Sequence, residues 1–201
     1  AGTDGGFHDV VGVYPQGSRT CYRVNFTDGT HVDCDGEHLW TFEKRRSRGR
    51  IVTITTQELA NSVLRMNSGR VFWLPEQLPV RFDCSSVLSV DPYTLGALVG
   101  DGSFTGNSVL FYSADSEIVD EMVLPRRCLL VDAKGSNSGK ASGYRIVSGT
   151  GRSNQLAMAM RDMGLIGCNS HEKFVPHEYR YASVEDRLAF LQGLFDTDGS
   201  P

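Results

Sequence analysis

Two apolar stretches of the chain end in the same way. Thr94-Leu95-Gly96-Ala97-Leu98-Val99-Gly100-Asp101-Gly102 and Leu191-Gln192-Gly193-Leu194-Phe195-Asp196-Thr197-Asp198-Gly199 both run into Asp-Gly. In helical form Gly96 and Gly100 lie one turn apart on a single face, as do Gly193 and Thr197, so each stretch offers a surface that another backbone can approach closely. Glycine inside a helix costs roughly 1 kcal/mol relative to alanine, and tight helix packing is the reason such a face predicts. If the two helices run side by side in the same direction, Asp101 and Asp198 meet at their C-terminal ends, where the helix dipoles are negative as well. Two carboxylates beside terminal carbonyls form a costly cluster without a cation, and hard oxygen ligands with room for water suit Mg²⁺. An ion held there can activate water and stabilise the leaving oxygen of a phosphodiester, which is nuclease chemistry. Taken singly, each motif reads equally well as a buried helix stopped by an Asp-Gly turn. Two copies favour the paired reading.

The elements that must position this pair follow from local signals. Asp91-Pro92 places a carboxylate at an N-cap and a proline where its missing N–H is harmless, predicting a helix over Pro92 to Asp101. A strand pair is expected from Ser103 to Ser113, a helix from about Asp115 to Leu124, and a hairpin of Cys128 to Lys134 with Tyr144 to Val147. A helix from Ser153 to Met163 follows, ended by Gly164. The order is αββαββα. A further helix starts at Ser183, with Glu185 and Asp186 near its positive end, and runs to Asp198.

The preceding part has a different texture. Val10, Val11 and Val13, then Tyr22, Val24 and Phe26, then Val32 and Cys34 alternate with polar residues and predict strands. Pro15-Gln16-Gly17, Asp28-Gly29 and Asp35-Gly36 are turn signals between them. A second hairpin from Leu39 to Ile54 has the basic run Lys44 to Arg50 at its tip, read either as a solvated turn or as a DNA contact. Thr55-Thr56-Gln57-Glu58 has capping-box spacing, so a helix is expected from there to near Gly69. Pro75 and Pro79 mark Val71 to Val90 as extended linker. The fold class expected is α+β, with a β-rich domain over 1–85 and an αββαββα domain over 86–201.

Composition bounds the function. Hydrophobic residues make up 40% and charged residues 22%, which is ordinary globular composition and excludes wholesale disorder. A net charge of −4 excludes a protein that coats nucleic acid by bulk charge, so any DNA contact must be local. No apolar run approaches the roughly 18 residues of a membrane helix, and the first residues lack a signal-peptide pattern, which predicts no membrane partner and a cytoplasmic or nucleoid location. The five cysteines (21, 34, 84, 128 and 168) form no C-x-x-C pair and are expected to be free thiols, mostly buried.

Residues 91 to 199 resemble the LAGLIDADG homing endonucleases, in which each motif helix precedes a sheet that lies in the DNA major groove. The stretch Lys173-Phe174-Val175-Pro176 and the segment Arg187 to Gly199 are similar to the form embedded in inteins. The resemblance implies metal-binding catalytic roles for Asp101 and Asp198, with the carbonyls of Gly100 and Thr197 close by, Mg²⁺ or another divalent cation as cofactor, and double-stranded DNA as substrate. Gly96, Gly100, Gly193 and Thr197 would line the helix interface. Arg126, Arg127, Lys134, Lys140 and Arg145, with Tyr144, are the candidates for DNA contact, each alone equally readable as a solvated surface residue.

Ahead of this region, Thr30-His31-Val32-Asp33-Cys34-Asp35-Gly36-Glu37-His38-Leu39-Trp40 resembles a block of the intein (Hint) splicing domain. By that resemblance His38 would activate the upstream peptide bond and Trp40 would match the tryptophan of inteins without an N-terminal cysteine. Asp35 stands where many inteins have threonine. The splicing blocks at both ends are not recognisable and the second nuclease half stops at its motif helix. The expectation is therefore a fragment of an intein-encoded homing endonuclease, inactive unless a second copy or a complementing chain supplies the rest. Two rivals stay open: a DNA-binding regulator on the same fold that has lost cleavage, and one half of a split intein.

Overall fold

The computed structural model describes residues 4–44, 51–62, 65–66, 69–82, 87–106, 108–133, 141–149, 151 and 153–199. The chain divides into two compact units, Ala1–Val80 and Arg81–Pro201. Lys134, Lys140, Cys84 and residues 45–50 of the basic run lie outside the described residues.

The first unit is built from short antiparallel strands. β1 (Cys21–Asn25) pairs with β2 (His31–Asp35), Tyr22 opposite Cys34 and Val24 opposite Val32. Their turn is closed by Asp28, whose carboxylate accepts from the Thr30 N–H at 2.9 Å and the Thr30 hydroxyl at 2.7 Å. β3 (Leu39–Lys44) pairs with β4 (Ile51–Thr55), then come α1 (Thr56–Ala60), the two-residue strands β5 (Arg65–Met66) and β6 (Gly69–Arg70), which pair with each other, and β7 (Phe72–Trp73) on the other edge of β3. Trp40, Phe42 and Leu59 form the buried core, packed by Val24, Phe26, Cys34, Val52, Ile54 and Phe72.

Three expectations for this unit are corrected. The Thr55–Glu58 capping box is present, yet its helix ends at Ala60 rather than near Gly69. Only Thr56 and Leu59 of that helix are buried, and the Ser62 hydroxyl donates back to the Glu58 carbonyl at 2.7 Å, a local competitor for helical continuation. Val10, Val11 and Val13 form no strand, and Val11 is 94% exposed; alternation alone makes no strand where no partner supplies a ladder. The supposed linker enters the sheet, with Val71 buried and the Phe72 ring 5.1 Å from that of Phe42.

The second unit has α2 (Pro92–Asp101), β8 (Gly102–Ser103), β9 (Val109–Ser113), α3 (Ser116–Glu121), β10 (Cys128–Asp132), β11 (Ser142–Ser148), α4 (Gln155–Asp162), α5 (His177–Arg180) and α6 (Val184–Asp198). Side chains of Asp91, Asp115, Asn154 and Ser183 accept from first-turn amides of α2, α3, α4 and α6, which sets where those helices begin. The four strands form an antiparallel sheet in the order β10-β11-β9-β8. Period-two alternation sends Val109, Phe111, Cys128 and Ile146 into a core with Leu95, Leu98, Leu156, Met160, Leu165, Tyr179 and Phe190. Tyr112, Leu129, Val131 and Arg145 stay exposed on the opposite face.

α3 stops at Glu121, short of the expected Leu124, because Met122 turns to extended backbone and is buried. The next residue is held to α2: the Val123 N–H donates to the Thr94 hydroxyl oxygen at 2.8 Å, and that hydroxyl faces the Val123 carbonyl at 3.2 Å. Of the four described cysteines, all free thiols, only Cys128 is buried, which corrects the expectation of mostly buried sulfur. No helix among the described residues is long and apolar enough to cross a membrane.

Candidate functional site

α2 and α6 pack backbone against backbone. A Cβ added at Gly96 would stand 2.0 Å from the Phe190 carbonyl oxygen, and one at Gly193 would stand 2.1 Å from that of Tyr93. A Cβ at Gly100 would strike the Thr197 hydroxyl at 2.0 Å and lie 3.5 Å from the Asp198 Cβ. Tyr93 and Ala97 face Gly193, Gly96 faces Phe190 and Leu194, and Gly100 faces Thr197 and Asp198, so the two helices run in the same direction. Their C-terminal ends therefore come together. The Tyr93 hydroxyl adds a clasp, donating to Asp196 at 2.9 Å, and burial with that carboxylate pushes its ionisation up to about 12.

The joined ends form an electrostatic site. Burial first, then the negative charge of Asp198, holds the Asp101 carboxyl above its ordinary value, while Lys173 opposes the shift. The Lys173 ammonium donates to the carbonyls of Val99 and Gly100, each at 2.9 Å, and lies 5.2 Å from the Phe104 ring centroid. Its own ionisation is lowered by burial and supported by Asp101 and Asp198. A basic residue thus meets the last carbonyls of α2, where the helix dipole is negative. The Thr197 hydroxyl is spent along its own helix, on the carbonyls of Gly193 at 3.0 Å and Leu194 at 3.1 Å. Among the described residues no group of three or more His, Cys, Asp or Glu is placed to hold a metal. The oxygen donors here are two carboxylates and backbone carbonyls, a set that fits Mg²⁺ only with several waters completing its shell.

The other predicted residues fall in separate places. Arg145 is exposed on β11, opposite Val131 of β10 and Leu110 of β9. Arg126 and Arg127 occupy a turn before β10, and Tyr144 is partly buried on the inward side of β11. In the first unit His38 is exposed, its ring edge-on to Trp40 at 5.0 Å. The Asp35 carboxylate accepts from the Glu37 N–H at 2.9 Å and pairs with Arg19 at 3.5 Å.

The residue that organises this corner, Thr56, was not singled out by its spacing. Its hydroxyl donates to the His38 carbonyl at 3.2 Å and accepts from the Trp40 indole N–H at 3.0 Å, with the Cys34 sulfur 3.3 Å away. Lys173 was likewise read only through resemblance. No local pattern marks it, since it comes from the loop before α5.

No family model matches the chain. It is 30% identical over 205 residues to a replicative DNA helicase DnaB of Mycobacterium intracellulare, an alignment covering 90% of the chain and 30% of that protein. A replicative DNA helicase DnaB of Nostoc sp. is 28% identical over 135 residues, covering 63% of the chain and 15% of that protein. The chain thus spans less than a third of the length of these relatives. Their names overturn the expectation of a LAGLIDADG homing endonuclease. Sequence-specific double-strand cleavage, and the description of the chain as a homing nuclease, are withdrawn with it. The reason is general: an Asp-Gly helix end and a glycine face describe packing and charge, and these do not by themselves define a family.

Proposed function

We propose that this chain is a DNA-contacting segment of a DnaB-type replicative helicase polypeptide. The observation that carries the reading is the similarity to a replicative DNA helicase over nine-tenths of the chain. The second unit supports it with an open sheet face on which Arg145 projects between two apolar neighbours. A guanidinium there can fork onto a phosphate or a guanine edge. The sequence has no G-x-x-x-x-G-K-[ST] phosphate loop, so the reading is confined to DNA contact and assigns no nucleotide-driven step. In this reading Asp101 and Asp198 would hold Mg²⁺ with waters completing its shell, which would offset their charge; Lys173, which occupies the Gly100 carbonyl, offsets part of it already.

The test is a titration of the ¹⁵N-labelled chain with short duplex DNA. Amide shifts concentrated on β9, β10 and β11, and lost on Arg145→Ala, are the expected result. Shifts confined to the first unit, or none, would refute it.

The first unit favours a second reading. His38, Trp40 and Thr56 form one corner joined by hydrogen bonds and an edge-on ring contact, consistent with an intein-related insertion in the helicase polypeptide rather than a working part of the motor. Peptide mapping of the mature helicase separates the two. Peptides from this segment in the mature enzyme support a helicase part; their absence supports the insertion.

A further inference from the structure

We infer that the turn before β10 and the first turn of α4 form an oxyanion site fitted to a phosphate group. A cavity of about 280 Å³ is lined by Arg126, Arg127, Ser148, Ser153 and Gln155, with Met158 as an apolar wall. Its lining supplies two guanidinium forks, two hydroxyls and an amide, and no carboxylate. Planar guanidinium groups match the oxygens of phosphate better than any other side chain. The positive N-terminal end of α4 opens beside the cavity and adds to the same sign. Among the described residues neither arginine is paired with a carboxylate. The cavity has room for a phosphate group together with its nearest waters.

The backbone points to the same place. Arg127 has φ of 67°, the only positive value among the described non-glycine residues. It is third in a turn closed by the Cys128 N–H donating to the Pro125 carbonyl at 2.9 Å, a position where glycine is the residue without strain. The Arg127 carbonyl is held by the Gly149 N–H at 2.7 Å, so the strained conformation is pinned from β11. An arginine kept where glycine would be easier suggests that its side chain is used. The phosphate could belong to a nucleic-acid backbone or be free in solution, and the donor set serves both.

The test titrates the ¹⁵N-labelled full chain with inorganic phosphate and, separately, with short duplex DNA. Saturable shifts at residues 126–128, 148–149 and 153–155 are expected with phosphate. Arg127→Gly should weaken phosphate binding about tenfold while leaving the melting temperature equal or higher, since glycine relieves the strained φ. Arg126→Gln provides a second variant that leaves the turn's backbone unchanged and should also weaken binding. If DNA moves the same amides and free phosphate competes it away, the site takes backbone phosphate. If phosphate alone moves them, the site takes a free anion. Phosphate shifts that persist in Arg145→Ala support the pocket apart from the proposed DNA-contacting face. No shift with either ligand, or undiminished binding in both variants, overturns the inference.

Discussion

Lys173 places one ammonium against the last carbonyls of α2 and within the field of Asp101 and Asp198, so the balance of that corner depends on pH. Because the folded-state value of Asp101 lies above its unfolded one, the folded chain keeps a proton in the window just above the usual carboxylate range. Stability is therefore highest below that window and falls as pH rises through it. Asp101→Asn should flatten this slope in denaturation midpoints taken across mildly acidic pH, and added Mg²⁺ should flatten it in the unaltered chain. Lys173→Met, which leaves the carbonyls of Val99 and Gly100 without their ammonium, should cost about 1–3 kcal/mol in chemical denaturation. Tyr179→Phe should cost a similar amount, about 1–3 kcal/mol, because the buried phenol accepts from the Val90 N–H at 3.0 Å and donates to its carbonyl at 2.7 Å. At this scale the carboxylates were legible from sequence because each ends an apolar helix at glycine. Lys173, Thr56 and Tyr179 were not, since their partners are distant in sequence.

Between elements, the apposition of α2 and α6 rests on the missing side chains of Gly96 and Gly193. A methyl at either would fall about 2 Å from a carbonyl oxygen of the other helix, so the helices must separate to admit it. Gly96→Ala and Gly193→Ala should each destabilise the second unit by about 1–3 kcal/mol in denaturant melts, despite the better helix propensity of alanine. Separation should also move Asp101 away from Asp198 and reduce the pH slope, which distinguishes loss of packing from general weakening. The small-residue face showed the helices' capacity to approach, and Asp91, Asp115 and Ser183 showed where three helices start; the fourth begins two residues later than the expected Ser153, capped by Asn154. Strand pairing was less accessible: Val10, Val11 and Val13 alternate as Val109 and Phe111 do, but only the latter find a ladder. α1 failed for the complementary reason, a sound cap followed by too little apolar face.

At the scale of the whole molecule, the described residues form two hydrophobic cores, one in each unit. Trp40 and Trp73 both lie in the first unit, so tryptophan fluorescence and far-UV circular dichroism should give different unfolding midpoints; coincident curves would contradict separate cooperativity. The function was the least legible feature, because residue types and spacing indicate charge, packing and chemistry while family membership has to be recognised across the whole chain. The most direct measurement of the central claim is duplex DNA affinity of the full chain by fluorescence anisotropy over a series of salt concentrations. The account predicts measurable binding that weakens with salt and a further loss of about tenfold in Arg145→Ala, with a shallower salt dependence if that residue contacts phosphate. Binding absent at low salt, or unaffected by Arg145→Ala, would contradict it.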